Sequence, residues 1–206
     1  MQEQDFPSLY RSADDLSLKS QKHFFQALRI HLVLLVIAAT LSIISIPHWL
    51  VALAQLLALL GALGCSIYLF SVRPDRMWYS GRAVAESIKT VTWRYVCRAE
   101  PFQTENLIAK NDFRQTLKQI IEQNREVCES LTEHLDGEQF TQVMEQLRSQ
   151  SLEERKATYK NTRIKDQLTW YAKKAKFNRK MSKYFFWGLI GINSLAVICA
   201  AFRIIY

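Results

Sequence analysis

The chain has 206 residues, a formal net charge of +8 from 27 Lys and Arg against 19 Asp and Glu, and a hydrophobic fraction of 49%. Its near-neutral average hydropathy conceals long uncharged stretches beside strongly charged ones, which excludes an ordinary water-soluble globule and marks a membrane protein with an aqueous part. A basic excess suits nucleic acid or anionic lipid; because the bases cluster beside the apolar runs, lipid is the expected partner and nucleic acid is not.

Residues 1–27 are polar, carry the pair Asp14–Asp15, and read as an N-terminal cytosolic tail or short surface helix. No cleavable leader is expected, because the following apolar run is too long for a signal core. Residues 28–71 form a predicted transmembrane hairpin. Ile30 to Ile46 and Leu50 to Phe70 are free of formal charge, and with a few flanking residues each reaches the roughly 20 residues a membrane helix needs. Pro47 can break the helix between them, and Trp49 suits the interface. Lys19, Lys22 and Arg29 precede the hairpin and Arg73, Arg76 and Arg82 follow it, while its turn has no Lys or Arg. The positive-inside rule therefore places both ends in the cytosol.

Residues 72–183 read as a cytosolic helical domain. Helical spacing predicts one helix from Asp75 to Glu100, ended by Pro101, and a second from about Thr104 to Leu131. The second carries Leu107, Phe113, Leu117, Ile120, Ile121 and Cys128 as its apolar stripe. A turn at Asp136–Gly137 and a short helix with Phe140, Val143, Met144 and Leu147 follow. Ser151 to Glu154 is a capping box that opens a helix with no breaker before Gly188. Its later turns carry Lys173, Lys174, Lys176, Arg179, Lys180 and Lys183, suited to the headgroups of an anionic inner leaflet. Residues 184–206 then form a third span, opened by Tyr184, Phe185, Phe186 and Trp187, with Arg203 placed to snorkel at its far end. The odd number of spans points to a fourth outside this chain, or to a piece of a longer protein. The expected fold class is all-α: an N-terminal transmembrane helical hairpin, a cytosolic helical bundle, and a third transmembrane helix continuous with a long cytosolic helix.

Cys65, Cys97, Cys128 and Cys199 lack paired spacing and read as small buried hydrophobes. The four histidines are scattered, so neither a metal nor another cofactor is expected. No phosphate loop, nucleophile elbow or paired carboxylates in a plausible cleft are read from the sequence, so catalysis is not expected. Ala54, Ala58, Gly61 and Cys65 make a small-residue stripe on the second span, with Gly188 and Gly191 on the third. Such stripes let membrane helices approach closely. Gln55 and Asn193 are amides within apolar runs, and Thr40, Ser42 and Ser45 add a weakly polar face to the first span. These groups should face other helices or water, either as interhelical hydrogen bonds or as a pore lining.

Two motifs stand outside the spans. The first runs from Trp78 through Arg82 and Glu86 to Trp93, and on to Pro101 and Phe102. The second runs from Tyr159 through Arg163, Asp166 and Gln167 to Trp170, Tyr171 and Asn178. Arg82 and Glu86, and the Lys165–Asp166–Gln167 group, could bind a nucleotide or simply pair on a helix surface. Trp78, Trp93, Trp170 and Tyr171 could form an aromatic pocket or belong to a bundle core. In this order after a hairpin, the motifs resemble the SLATT superfamily, the SMODS and SLOG-associating two-transmembrane effector domains. The resemblance spans about Leu28 to the end of the chain. It implies a membrane-perforating or depolarising effector in bacterial antiviral conflict, acting as a homo-oligomer and paired with a nucleotide-sensing or second-messenger synthase protein. A non-conducting scaffold that docks a partner through its cytosolic helices is the alternative. The chain departs from such systems in carrying no sensor or synthase domain of its own.

Overall fold

A computed structural model describes residues 1–43, 49–134 and 136–201 in full and the backbone of 202–205. The expectations for Ser45, Pro47 and the Arg203 side chain fall outside the described residues. After a short 3-10 turn, Glu3–Asp5, the helices are α1 (Ser8–Ile43), α2 (Trp49–Val72), α3 (Pro74–Val96), α4 (Asn106–Gln123), α5 (Arg125–Cys128), α6 (Gln142–Ser149), α7 (Leu152–Thr158) and α8 (Lys165–Ile205). There is no strand among the described residues, so the protein is all-α. Among the described residues, three helical stretches are long and apolar enough to cross a membrane.

The chain divides into two compact units, Met1–Gln150 and Ser151–Tyr206. In the first, α1 is one helix of 36 residues, because neither Gly nor Pro interrupts it. This corrects the reading of residues 1–27 as a tail. Tyr10, Ala13, Asp14 and Ser17 recur at helical spacing and are buried, and Phe6, Tyr10 and Ala13 join the core. The tail reading failed because small and polar residues dominate that face, and their burial depends on the helix they meet. α1 packs along α2 in its apolar half and along α3 in its polar half.

α3 begins at Pro74, a favoured first helical position, after Arg73 turns the chain in the left-handed region (φ 47°). It stops at Val96, short of the expected Glu100. Arg98 adopts φ 51° there, and its Nε donates to the Arg148 carbonyl at 3.1 Å. The Glu100–Pro101 peptide is cis. The second expected helix breaks at Asn124, whose side-chain amide donates to the Ile120 carbonyl at 2.9 Å, a local bond that competes with continued helix. Leu107 is 72% exposed and Ile121 37%, so the stripe that packs is Ala109, Phe113, Leu117 and Ile120.

The core joins α3, α4 and α6 around an aromatic cluster: Tyr95, Phe102, Phe113 and Phe140 have neighbouring ring centroids 4.9–6.0 Å apart. Arg148 is also buried here, only 1% exposed. Its Nη2 donates to the carbonyls of Phe102 (3.0 Å) and Thr104 (3.2 Å), its Nε to Asn106 Oδ1 (3.1 Å) and its Nη1 to the Tyr95 carbonyl. The guanidinium lies 4.5 Å from the Tyr95 ring centroid. One side chain thus holds together the irregular 97–105 segment and the ends of three helices.

In the second unit the capping box forms as expected: Ser151 N–H donates to Glu154 Oε2 at 2.9 Å, and the Glu154 amide donates to Ser151 Oγ at 3.4 Å. The Ser151 hydroxyl also donates to Glu154 Oε2 at 2.7 Å, and this bond, with that from the Ser151 N–H, holds the Glu154 carboxyl below its ordinary range. A π-helical segment, Tyr159–Ile164, links α7 to α8, so the backbone remains helical from Leu152 into the apolar segment. α8 has 41 residues and contains no proline.

Candidate functional site

The hairpin comes first. On α2, Ala58 and Ala62 are buried, and Gln55, Gly61 and Cys65 are half-buried. These positions recur every three or four residues and face α1. A β-carbon on Gly61 would lie 2.9 Å from Leu34 Cδ1, so α1 and α2 touch there. The expected stripe is corrected at one position: Ala54 is exposed, and Ala62 supplies the small residue that packs. Within that turn Gln55, not Ala54, is on the half-buried side, which places its amide beside the helix interface.

Thr40 and Ser42 are exposed, and Thr40 Oγ1 donates to the Val36 carbonyl at 2.8 Å. The hydroxyl is therefore satisfied within its own helix. Sequence reasoning missed His31. Its Nδ1 lies 3.0 Å from the Ala62 carbonyl; because a carbonyl only accepts, Nδ1 carries the proton. Ser66 Oγ also donates to the Ala62 carbonyl, at 3.2 Å. The signal was available, since an ionisable residue inside an apolar run requires a partner.

Outside the span, the first motif divides between two places. Trp78 stacks on Tyr79 (4.5 Å between centroids) and meets Phe24 and Phe25 of α1. Trp93 is 4% exposed, in the core near Phe6. These tryptophans are 15 residues apart on one helix, about 22 Å of rise, so they do not share a pocket. Trp170 and Tyr171 are 51% and 63% exposed on α8, which rules out a bundle core for them within their unit.

Arg82 and Glu86 do pair, at 2.7 Å, and Arg82 also grips Asp14 of α1 at 2.8 Å. Burial raises the Asp14 pKa above its ordinary value, and Arg82 opposes that rise. Nearby, Lys89 lies 5.3 Å from the Tyr10 ring centroid, and burial raises the Tyr10 phenol pKa. α1 and α3 approach closely here because Gly81 has no side chain: a β-carbon on it would lie 3.3 Å from both the Ala13 carbonyl oxygen and the Ser17 nitrogen.

A loop clasps the other side of α1. Ser8 Oγ donates to the Gly137 carbonyl (2.9 Å), Ser12 Oγ to the Glu133 carbonyl, and Lys19 Nζ to Glu133 Oε1 (2.7 Å). His134 Nε2 meets Asp15 Oδ2 at 2.9 Å. The clasp leaves a polar cleft of about 520 Å³ lined by Tyr10, Arg11, Asp14, Asp15 and His134, among others. The N-terminal half of α1 is thus fixed by ion pairs, and the same helix continues into the hairpin.

Along α8, Asp166, Asn178, Asn193 and the basic residues Lys173, Lys174, Lys176, Arg179, Lys180 and Lys183 are exposed and Gln167 is half-buried, as is Arg163 in the π-helical segment before it. A β-carbon on Gly188 or Gly191 would meet nothing within 4 Å. The reading of the cysteines as buried is corrected: Cys65, Cys97 and Cys128 are half-buried, and Cys199 is exposed.

A tight helical hairpin, a third apolar helix and a charged helical domain fixed to the first span define an α-helical multi-span membrane protein. The family models agree. Residues 7–156 match SMODS and SLOG-associating 2TM effector domain 3, and residues 159–206 match SMODS and SLOG-associating 2TM effector domain 1. The chain belongs to this SLATT family. The two matches meet beside the π-helical segment. The family description names two spans, and the described residues of this chain include three membrane-capable helices. No curated protein and no solved structure matches the chain.

Proposed function

We propose that the protein is a homo-oligomeric effector that permeabilises the bacterial inner membrane, with its charged helical domain in the cytoplasm. The observation that carries the reading is membership of a membrane-effector family by a chain whose spans are almost free of charge. Three spans cannot enclose an aqueous path, so several copies must combine. Asn193, exposed on α8, is the polar group placed to line such a path, whereas half-buried Gln55 belongs to helix packing. Arg179, Lys180 and Lys183 lie within about 8 Å of helix rise from Tyr184 and engage anionic headgroups of the inner leaflet. The trigger comes from a nucleotide-sensing or synthase partner in an antiviral conflict system, and the cluster that Arg82 of α3 forms with Asp14 of α1 is where it is relayed.

Inner-membrane potential, read with a voltage-sensitive dye after induced expression in a bacterial host, tests this. The reading expects depolarisation by the wild type and at least a several-fold slower response from Asn193→Leu. Equal responses from both would remove Asn193 from the path. Exposed Leu107 and Ile108 at the start of α4 favour a second reading, a non-conducting scaffold that docks a partner there. That reading expects no depolarisation, and loss of a co-purifying protein on Leu107→Ser, Ile108→Ser.

A further inference from the structure

α8 carries an apolar pattern that its own unit does not use. Outside the apolar segment, Trp170, Lys174, Phe177, Met181 and Tyr184 follow one another at alternating steps of four and three residues. Inside it, Gly188, Gly191, Leu195 and Ile198 continue the same alternation without a break. A strict seven-residue repeat is the signature of helices that supercoil around one another, each seam residue packing between residues of the facing helix. A straight helix drifts by about 20° per heptad against that repeat, so the four heptads from Trp170 to Ile198 form one seam only in a left-handed supercoil.

The rest of the helix surface fits the same arrangement. Lys173, Lys176, Lys180 and Lys183 occupy a separate arc beside the seam, with Arg179 opposite it, which leaves the seam free of charge except at Lys174. A single polar residue in a seam of this kind fixes register at some cost in stability. The glycines sit where the seam enters the membrane, and there small residues let backbones approach.

Trp170, Phe177 and Tyr184 are 51%, 53% and 59% exposed, and Leu195 and Ile198 are 61% and 52% exposed. With aromatic side chains able to bury about 150–250 Å² each, these five offer roughly 400–500 Å² per copy. Two copies then approach the roughly 1,000 Å² that a stable interface needs. Copies that insert in the same sense bring their α8 helices parallel and at equal depth, which is the geometry an in-register seam requires.

We propose that α8 is the assembly helix, pairing with α8 of a second copy of this chain along the Trp170–Ile198 seam. The proposal rests on the homo-oligomer reading above and names its surface. It places Asn193, which falls on the opposite side of α8 from Gly188, away from the contact.

Cysteine scanning of the full chain in native membranes tests it. Cys65, Cys97, Cys128 and Cys199 are replaced by Ser or Ala, and single cysteines are placed on the seam (Trp170→Cys, Phe177→Cys, Tyr184→Cys, Gly191→Cys) or opposite it (Ala172→Cys, Arg179→Cys, Phe186→Cys, Asn193→Cys). Mild oxidation should give disulfide-linked dimers at least fivefold more abundant for the seam set. Equal yields, or a maximum on the opposite set, would overturn the seam. Monomers from both sets, with an amine-reactive cross-linker still trapping oligomers, would also overturn the seam while leaving the oligomer standing. Monomers with both reagents would remove the oligomer reading itself.

Discussion

Truncating Arg148 is expected to loosen the helical domain more than any substitution on its surface. The side chain is almost fully buried, and it donates to the carbonyls of Tyr95, Phe102 and Thr104 and to Asn106. Alanine would remove the donor from the Phe102 and Thr104 carbonyls in a region that water enters poorly, while the Tyr95 carbonyl keeps the Arg98 N–H (3.1 Å), and would leave a void under the Tyr95 ring. Each stranded group costs about 1–3 kcal/mol. With the lost hydrogen bonds, the void and partial relaxation taken together, the total is about 3–5 kcal/mol. For a chain of this length 1 kcal/mol corresponds to roughly 2–4 °C in Tm, so Arg148→Ala should lower Tm by roughly 10 °C. Tryptophan fluorescence of the full chain in detergent reads this through buried Trp93. Arg148→Lys keeps the charge but not the planar fork, and should fall between wild type and Ala. A shift under about 2 °C for Arg148→Ala would refute the account of how the 97–105 segment is held.

Gly81→Val forces a branched side chain against the α1 backbone and should cost about 1–3 kcal/mol, read as a lowered Tm and reduced yield in the membrane fraction. Burial raises the Tyr95 phenol pKa above its ordinary value, reinforced by its 2.9 Å hydrogen bond to Glu145. Above pH 10 the folded chain therefore holds a proton that the unfolded chain releases, and stability falls as pH rises; Tyr95→Phe should lower Tm at pH 8, by about 1 kcal/mol for the lost bond, yet show a shallower fall between pH 10 and 11. His31→Leu removes the hydrogen bond to Ala62 and should weaken the hairpin by about 0.6 kcal/mol and at most about 1.7, measured by detergent-induced unfolding, with Gly61→Leu as the steric comparison.

Much of the architecture was legible because hydropathy is a local property. The charge-free runs, the capping box at Ser151 and the long terminal helix all depend on neighbouring residues and appear where sequence placed them. The first 20 residues were not legible. Their burial depends on Gly81 and the 133–139 loop, which lie far away in the chain. Arg148 was invisible for the same reason, since nothing local distinguishes a surface arginine from one that organises three distant carbonyls. At the candidate site, Arg82–Glu86 could be anticipated from helix spacing, but its Asp14 partner could not. The tryptophans share a motif and not a location, because spacing along a helix says nothing about which neighbour each ring meets.

The most direct test of the central claim is efflux of a small fluorophore from anionic liposomes holding the purified full-length protein, followed against the protein-to-lipid ratio. A permeabilising oligomer predicts efflux that rises more steeply than the first power of that ratio and is slowed by Asn193→Leu. Intact liposomes at every ratio would contradict it.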